Sequence, residues 1–114
     1  WKTIQIHDQY GPINQLNDLC FHQGFLFINV WFSDVILIAS PYNGEVIAHL
    51  DLSLLRTLTH SINIRDALNG ITSLSDHQIL VTGKNWPCFY QLKLPDMIGY
   101  LGWTHLTQAL STLP

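Results

Sequence analysis

Charge is scarce in this chain: 5 Lys and Arg stand against 8 Asp and Glu in 114 residues, for a formal net charge of -3. A surface so poor in cations carries no positive field for phosphate backbones or anionic bilayers, so neither nucleic acid nor a membrane is expected as partner. Long apolar runs are also missing. Gly, Asn, Asp or Pro interrupts every hydrophobic stretch before it nears the ~20 residues that span a bilayer. Two cysteines are too few for a disulfide framework or a CxxC metal site, and the count leaves a single Cys20–Cys88 bond open. The six histidines show no ligand spacing on a common element; His7, His22, His49, His60, His77 and His105 read as surface or turn residues. Trp1 is neither an initiator Met nor the start of a basic-then-apolar leader, so the natural N-terminus is expected to lie elsewhere.

What is present is apolar and β-forming, with 47% hydrophobic residues, enough for a buried core. Short runs rich in β-branched and aromatic residues predict strands over Thr3–His7, Asp18–Phe21, Phe25–Trp31, Val35–Ala39, Glu45–Asp51, Ile71–Leu74, Gln78–Thr82 and Phe89–Leu94. Tyr10-Gly11-Pro12, Gln23-Gly24, Pro41-Tyr42-Asn43-Gly44 and Ser75-Asp76-His77 separate them, which predicts an antiparallel meander. Asn43-Gly44 is the strongest hairpin signal, because both residues tolerate positive φ. Leu52–Ala67 is less strand-like: Ser53, Leu54, Leu55 and Leu58 predict a short helical excursion that Asp66 closes. Ile98, Leu101, Leu106 and Leu110 give the tail a weak helical period that Gly99 and Gly102 weaken.

A repeat orders these strands. Leu16-Asn17 opens a segment running through Asn29-Val30-Trp31 to Val35-Ile36-Leu37; Leu68-Asn69 opens a second through Thr82-Gly83-Lys84 to Phe89-Tyr90-Gln91. An offset of roughly fifty residues is the spacing of propeller blades, so the fold class is all-β, a partial β-propeller of about two blades. Equivalent positions of successive blades face one channel, which places Asn17 beside Asn69 and Trp31 beside Lys84 in role. Two blades do not close a ring, and open blade edges expose unpaired backbone, so missing blades or an oligomeric partner are expected to cover them.

The strings LNDLCFHQGFLFINVWFSD (Leu16–Asp34), ALNGI (Ala67–Ile71) and VTGKNWP (Val81–Pro87), in that order, resemble the glutamine cyclotransferases of plants and bacteria. The resemblance covers about Lys2 to Leu94, most of the chain, with 95–114 as a separate tail. It implies the later blades of a five-bladed propeller that closes N-terminal glutamine of a peptide or protein into pyroglutamate with release of ammonia, without a metal. It carries the family's pocket asparagine onto Asn17 and its lysine onto Lys84, as catalytic residues, and a substrate-binding tryptophan onto Trp31. The family's catalytic glutamate belongs to an earlier blade, so this chain is expected to supply part of the pocket. Glutamates are usual where this chain has Asp18 and Cys20, and a basic residue is usual near Cys88. Such proteins enter the secretory route in plants or the periplasm in bacteria, which implies an exported parent.

Plainer readings stand beside these. Asn17 fits a strand-end asparagine bonding to backbone, Asn69-Gly70 fits a structural turn, Trp31 fits blade packing and Lys84 a solvated loop lysine. Trp86 reads as a structural plug. Asp8, Asp34, Asp51 and Asp66 read as turn and cap residues, with a structural divalent cation on loop carboxylates left open. The alternative function is an inactive propeller fragment acting as a binding module; an unrelated propeller hydrolase lacks any His/Ser/Asp or metal constellation.

Overall fold

The computed structural model describes residues 1–60 and 63–97; the tail helix expected from Ile98 onward lies outside them. Among the described residues the strands form three antiparallel sheets. β1 (His7–Asp8) pairs with β2 (Gly11–Pro12). β3 (Leu16–His22), β4 (Phe25–Val30), β5 (Val35–Ala39) and β6 (Val46–Asp51) follow one another as a four-stranded meander. β7 (Leu68–Ser75), β8 (Gln78–Gly83) and β9 (Tyr90–Lys93) make a three-stranded one. The two meanders are the repeats expected as blades, and the fold is all-β, a partial β-propeller.

The turn residues act as their chemistry requires. Gln23 and Gly24 both take positive φ, 50° and 85°, which matches the right-handed twist of the β3–β4 hairpin they close. In the β5–β6 connection only Gly44 needs the left-handed region, at φ 78°, and a side chain there would run into the Gln5 carbonyl and Ile4. Leu52–Ala67 gives α1 (Ser53–Leu58) and a 3-10 turn over Ile64–Asp66, so the excursion between repeats is present as expected. The first predicted strand is not. Thr3–Ile6 pairs with no strand, and regular pairing begins at His7, which also bridges Glu45 in parallel. Alternation of Ile4 and Ile6 with Thr3, Gln5 and His7 imitates a strand, but what the segment meets is the loop at Gly44. Gly11–Pro12, read as a breaker, is the other half of the small sheet; Pro12 sits where no ladder donor is needed.

β4 explains where the core lies. Its sequence, FLFINV, is apolar on both faces apart from Asn29, and Phe27, Ile28 and Asn29 are all fully buried. Phe27 faces the second blade, in a cluster with Ile36, Ile38, Ala48, Leu50, Leu55, Leu68, Ile71, Ile79 and Val81. Ile28 faces the other way, with Ile6 and Ala39 and the flanking Ile13, Leu26, Leu37 and Val46. Burial of each such side chain is worth roughly 1.5–3 kcal/mol, so the larger cluster is the main force joining the blades.

One open question is closed and one expectation is corrected. The cysteines are free, Cys20 half-buried and Cys88 exposed. His22 is not a surface histidine: it is 2% exposed, its ring edge-on to Phe27 at 5.2 Å, with Nδ1 2.8 Å from Ser73 Oγ. Burial, with a smaller push from His77, holds its pKa below the ordinary 6.5, while Asp76 works the other way. Above pH 6.5 both native and unfolded chains hold this ring neutral. Below it the unfolded chain takes the proton first, so stability is lost as pH falls from 6.5 to the depressed native value. Urea midpoints measured from pH 8 to 5 are expected to drop below pH 6.5, with a smaller drop in His22→Gln; parallel profiles would remove His22 as the cause.

Glycine substitutions separate backbone conformation from crowding. Gly24→Ala meets open space and is expected to cost about 1 kcal/mol for its positive φ alone. Gly44→Ala adds a backbone collision and should cost about 3 kcal/mol or more in the same urea unfolding assay.

Candidate functional site

β3 and β7 lie side by side without sharing a backbone ladder. Side chains join them: Asn17 Nδ2 donates to Asn69 Oδ1, the Ile71 N–H donates to Asp18 Oδ2 at 3.0 Å, His22 meets Ser73, and Gln23 Nε2 donates to the Asp76 carbonyl at 2.5 Å. Each pair is separated by 51 to 53 residues, so the two strands run in the same direction with equivalent repeat positions abreast.

Both strands are irregular at their Leu-Asn start. Leu16 pairs with Val30 and Leu19 with Ile28, so Asn17 and Asp18 together face Asn29; Leu68 pairs with Gly83 and Gly70 with Thr82, so Asn69 is an extra residue. Bulges re-aim side chains. Here they turn Asn17 and Asn69 toward each other and Asp18 across to β7. Asn69-Gly70 is therefore strand, not turn.

Trp31 follows β4, with its N–H bonded to the Gln15 carbonyl at 2.8 Å. Its indole stacks on Phe32 at 5.2 Å and 15°, and Phe32 is held at φ 61°, a conformation rare for a bulky residue. Lys84 leads the turn after β8, its N–H on the Ala67 carbonyl at 3.1 Å. That turn is anchored by Trp86, which packs over Gly83, donates from Nε1 to the Asp66 carbonyl at 2.5 Å and meets Tyr90 edge-on. The plug reading of Trp86 holds.

These pieces meet in one recess of about 180 Å³ lined by Trp31, Phe32, Arg65, Ala67, Leu68, Asn69 and Lys84. Of the residues expected at the channel mouth, Trp31, Asn69 and Lys84 line it, and Asn17 reaches it through Asn69. Phe32 and Arg65 were not singled out in the sequence. Phe32 adjoins Trp31 in NVWF, a usable signal; Arg65 lies in the excursion, where nothing marks it. The lining holds two cationic side chains, an amide and two aromatic rings, and no carboxylate.

Nearby acids are committed elsewhere. Asp34 receives Arg56 in a two-pronged ion pair, Nε to Oδ2 at 2.7 Å and an Nη to Oδ1 at 3.0 Å, and that pair raises the Arg56 pKa; Asp34 is thus a strut to α1 and not a turn residue. Asp66 takes the Asn85 amide at 3.1 Å in a separate recess. Asp8 and Asp51 do serve local turns, accepting from Tyr10 and Ser53 N–H groups. Among the described residues no three His, Cys, Asp or Glu side chains gather as metal ligands. Burial, helped by the Asp18 carboxylate, pushes the Cys20 thiol up to about 11, so it is no nucleophile at neutral pH.

Residues 1–94 match the family model for glutamine cyclotransferase. The chain belongs to that family. It is 40% identical over 105 residues to the glutaminyl-peptide cyclotransferase of Arabidopsis thaliana, covering 82% of this chain and 32% of that protein. It also superposes on the crystal structure of Myxococcus xanthus glutaminyl cyclase with a TM-score of 0.70 at 28% identity, over 77% of this chain and 39% of that one. The chain thus spans about a third of the length of these relatives. In this cyclotransferase-family chain the recess lies where two successive repeats present their bulged strands and the turns beyond them.

Asp18 ties those strands. Its removal leaves the buried Ile71 N–H without an acceptor, so Asp18→Ala is expected to lose about 1–3 kcal/mol in urea unfolding, and Asp18→Asn, which keeps an acceptor oxygen, less than half of that.

Proposed function

We propose that this chain supplies one wall of a glutaminyl-peptide cyclotransferase pocket. The observation that supports this is the meeting of Trp31, Asn69 and Lys84, from two repeats, on one recess, with Asn17 bonded to Asn69. In the proposed reaction the α-amine of an N-terminal glutamine attacks its own γ-carbonyl carbon. A C–N bond forms, the carbonyl pair moves to oxygen, the amine sheds a proton, and the side-chain nitrogen leaves as ammonia once protonated. The ring closes within one residue, so holding the side chain folded over the amine does much of the work.

Each lining group suits a part of that task. The Trp31–Phe32 stack gives a flat apolar wall for the glutamine methylenes. Asn17 and Asn69, oriented by their mutual bond, offer amide donors and acceptors to the substrate. The Lys84 ammonium stabilises the oxyanion as it develops. The same ammonium disfavours a second positive charge beside it, which keeps the substrate amine neutral and nucleophilic. Proton transfer to the leaving nitrogen needs a group that the recess lining lacks; the family resemblance assigns it to a glutamate of an earlier blade.

That missing carboxylate favours a second reading for the chain by itself, in which it binds Gln-initiated peptides without cyclising them. Ammonia release from a Gln-initiated peptide, measured on the chain alone and on a version extended by the earlier blades, separates the two. Turnover only in the extended protein is expected. There, Asn17→Ala and Lys84→Ala should each lower kcat/KM about 100-fold, as loss of an oxyanion-type contact does, and Trp31→Ala should act mainly on KM. Unchanged kinetics for Lys84→Ala would remove its assignment.

A further inference from the structure

Arg65 has a place in the recess that the cyclisation chemistry does not use. It sits in the 3-10 turn Ile64–Asp66, and its backbone N–H is fixed by Asn63 Oδ1 at 3.0 Å. The other arginine of this region, Arg56, is spent on Asp34 and on the Asn63 carbonyl. Asp66, the acid next to Arg65 in sequence, belongs to a different recess with Thr59, His60, Asn85, Trp86 and Pro87. Among the described residues, then, no carboxylate pairs with Arg65 or with Lys84. One ammonium suffices for an oxyanion. A second cation, planar and able to bind a carboxylate through two N–H groups, fits a different anion.

We propose that Arg65 makes this pocket selective for peptides that carry an acidic side chain close behind the N-terminal glutamine. The inference rests on the reading of the recess as a glutamine pocket. With Trp31, Asn69 and Lys84 engaged by the first residue, the peptide leaves the recess past its remaining lining, where Arg65 takes the downstream carboxylate. A basic side chain at that place is repelled by both cations, so discrimination comes from attraction and repulsion together.

The test is equilibrium binding of three C-terminally amidated peptides, Gln-Glu-Ala, Gln-Ala-Ala and Gln-Lys-Ala, with Ala-Ala-Ala as control, to the full chain at low ionic strength, read by calorimetry. Gln-Glu-Ala is expected to bind about fivefold tighter than Gln-Ala-Ala, with Gln-Lys-Ala weakest, and the spread should shrink on adding salt. Arg65→Gln should bring the Glu-to-Ala affinity ratio to within about twofold, and Arg65→Lys should keep part of it. A purely structural role for Arg65 would move all three affinities together and leave the ratio intact, which would overturn the proposal. Equal affinities in the unaltered chain would overturn it too, with the glutamine pocket itself standing. If Gln-Ala-Ala binds no better than Ala-Ala-Ala, the glutamine reading fails and the selectivity falls with it.

Discussion

Everything at the recess depends on two strands that lie abreast with no shared ladder. β3 and β7 are the first strands of successive repeats, and each offers the other an edge of unpaired backbone that only side chains bridge. Burial of the cluster around Phe27, Leu68, Ile71 and Val81 supplies most of the energy that holds the blades together, but apolar contact fixes no register. Register comes from the polar pegs at Asn17, Asp18, His22 and Gln23. Each reaches a partner 51 to 53 residues on, and a slip along β7 would break all four at once.

The pegs need bulges. In a regular strand, neighbours point to opposite faces, so Asn17 and Asp18 would not both engage β7. The extra residue in β3 lets them do so, and the matching irregularity in β7 brings Asn69 round to receive Asn17. Fold and site share this device: the distortion that joins the blades also sets the amide pair at the recess. Asn29, opposite the β3 bulge, bears part of its cost. It is fully buried, and neither amide atom has a partner among the described residues, a penalty of about 1–3 kcal/mol.

Much of this was legible in the sequence. The recurrence of Leu-Asn at residues 16 and 68 placed Asn17 beside Asn69, because repeat register is preserved through local bulges. β5 was read to the residue, since Val35–Ala39 is uniformly β-branched or apolar between clear breakers. The failures have a common cause in distant partners. His22 looks like a polar strand end until Ser73, 51 residues on, buries and satisfies it. Asp34 looks like a turn aspartate until Arg56 folds back on it. Thr3–Ile6 has the alternation of a strand and lacks only a strand to pair with. Arg65 is invisible for the same reason: it matters through the company of Trp31 and Lys84, and its own neighbours in sequence say nothing of them.

The lining has a chemical asymmetry with a physical cause. Its polar side chains are an amide and two cations, and the acids nearest in sequence are tied up as struts, Asp34 to α1 and Asp66 to the Lys84 turn through Asn85. In the proposed reaction, a carboxylate of this wall beside Lys84 would cancel the field that keeps the substrate amine neutral and the oxyanion stable. Under that proposal, keeping acids out of this wall serves the nucleophile and the intermediate, and protonation of the leaving group falls to an acid outside it. A pocket shared with an earlier blade would resolve that conflict, because it would hold the acid apart from the cations of this wall.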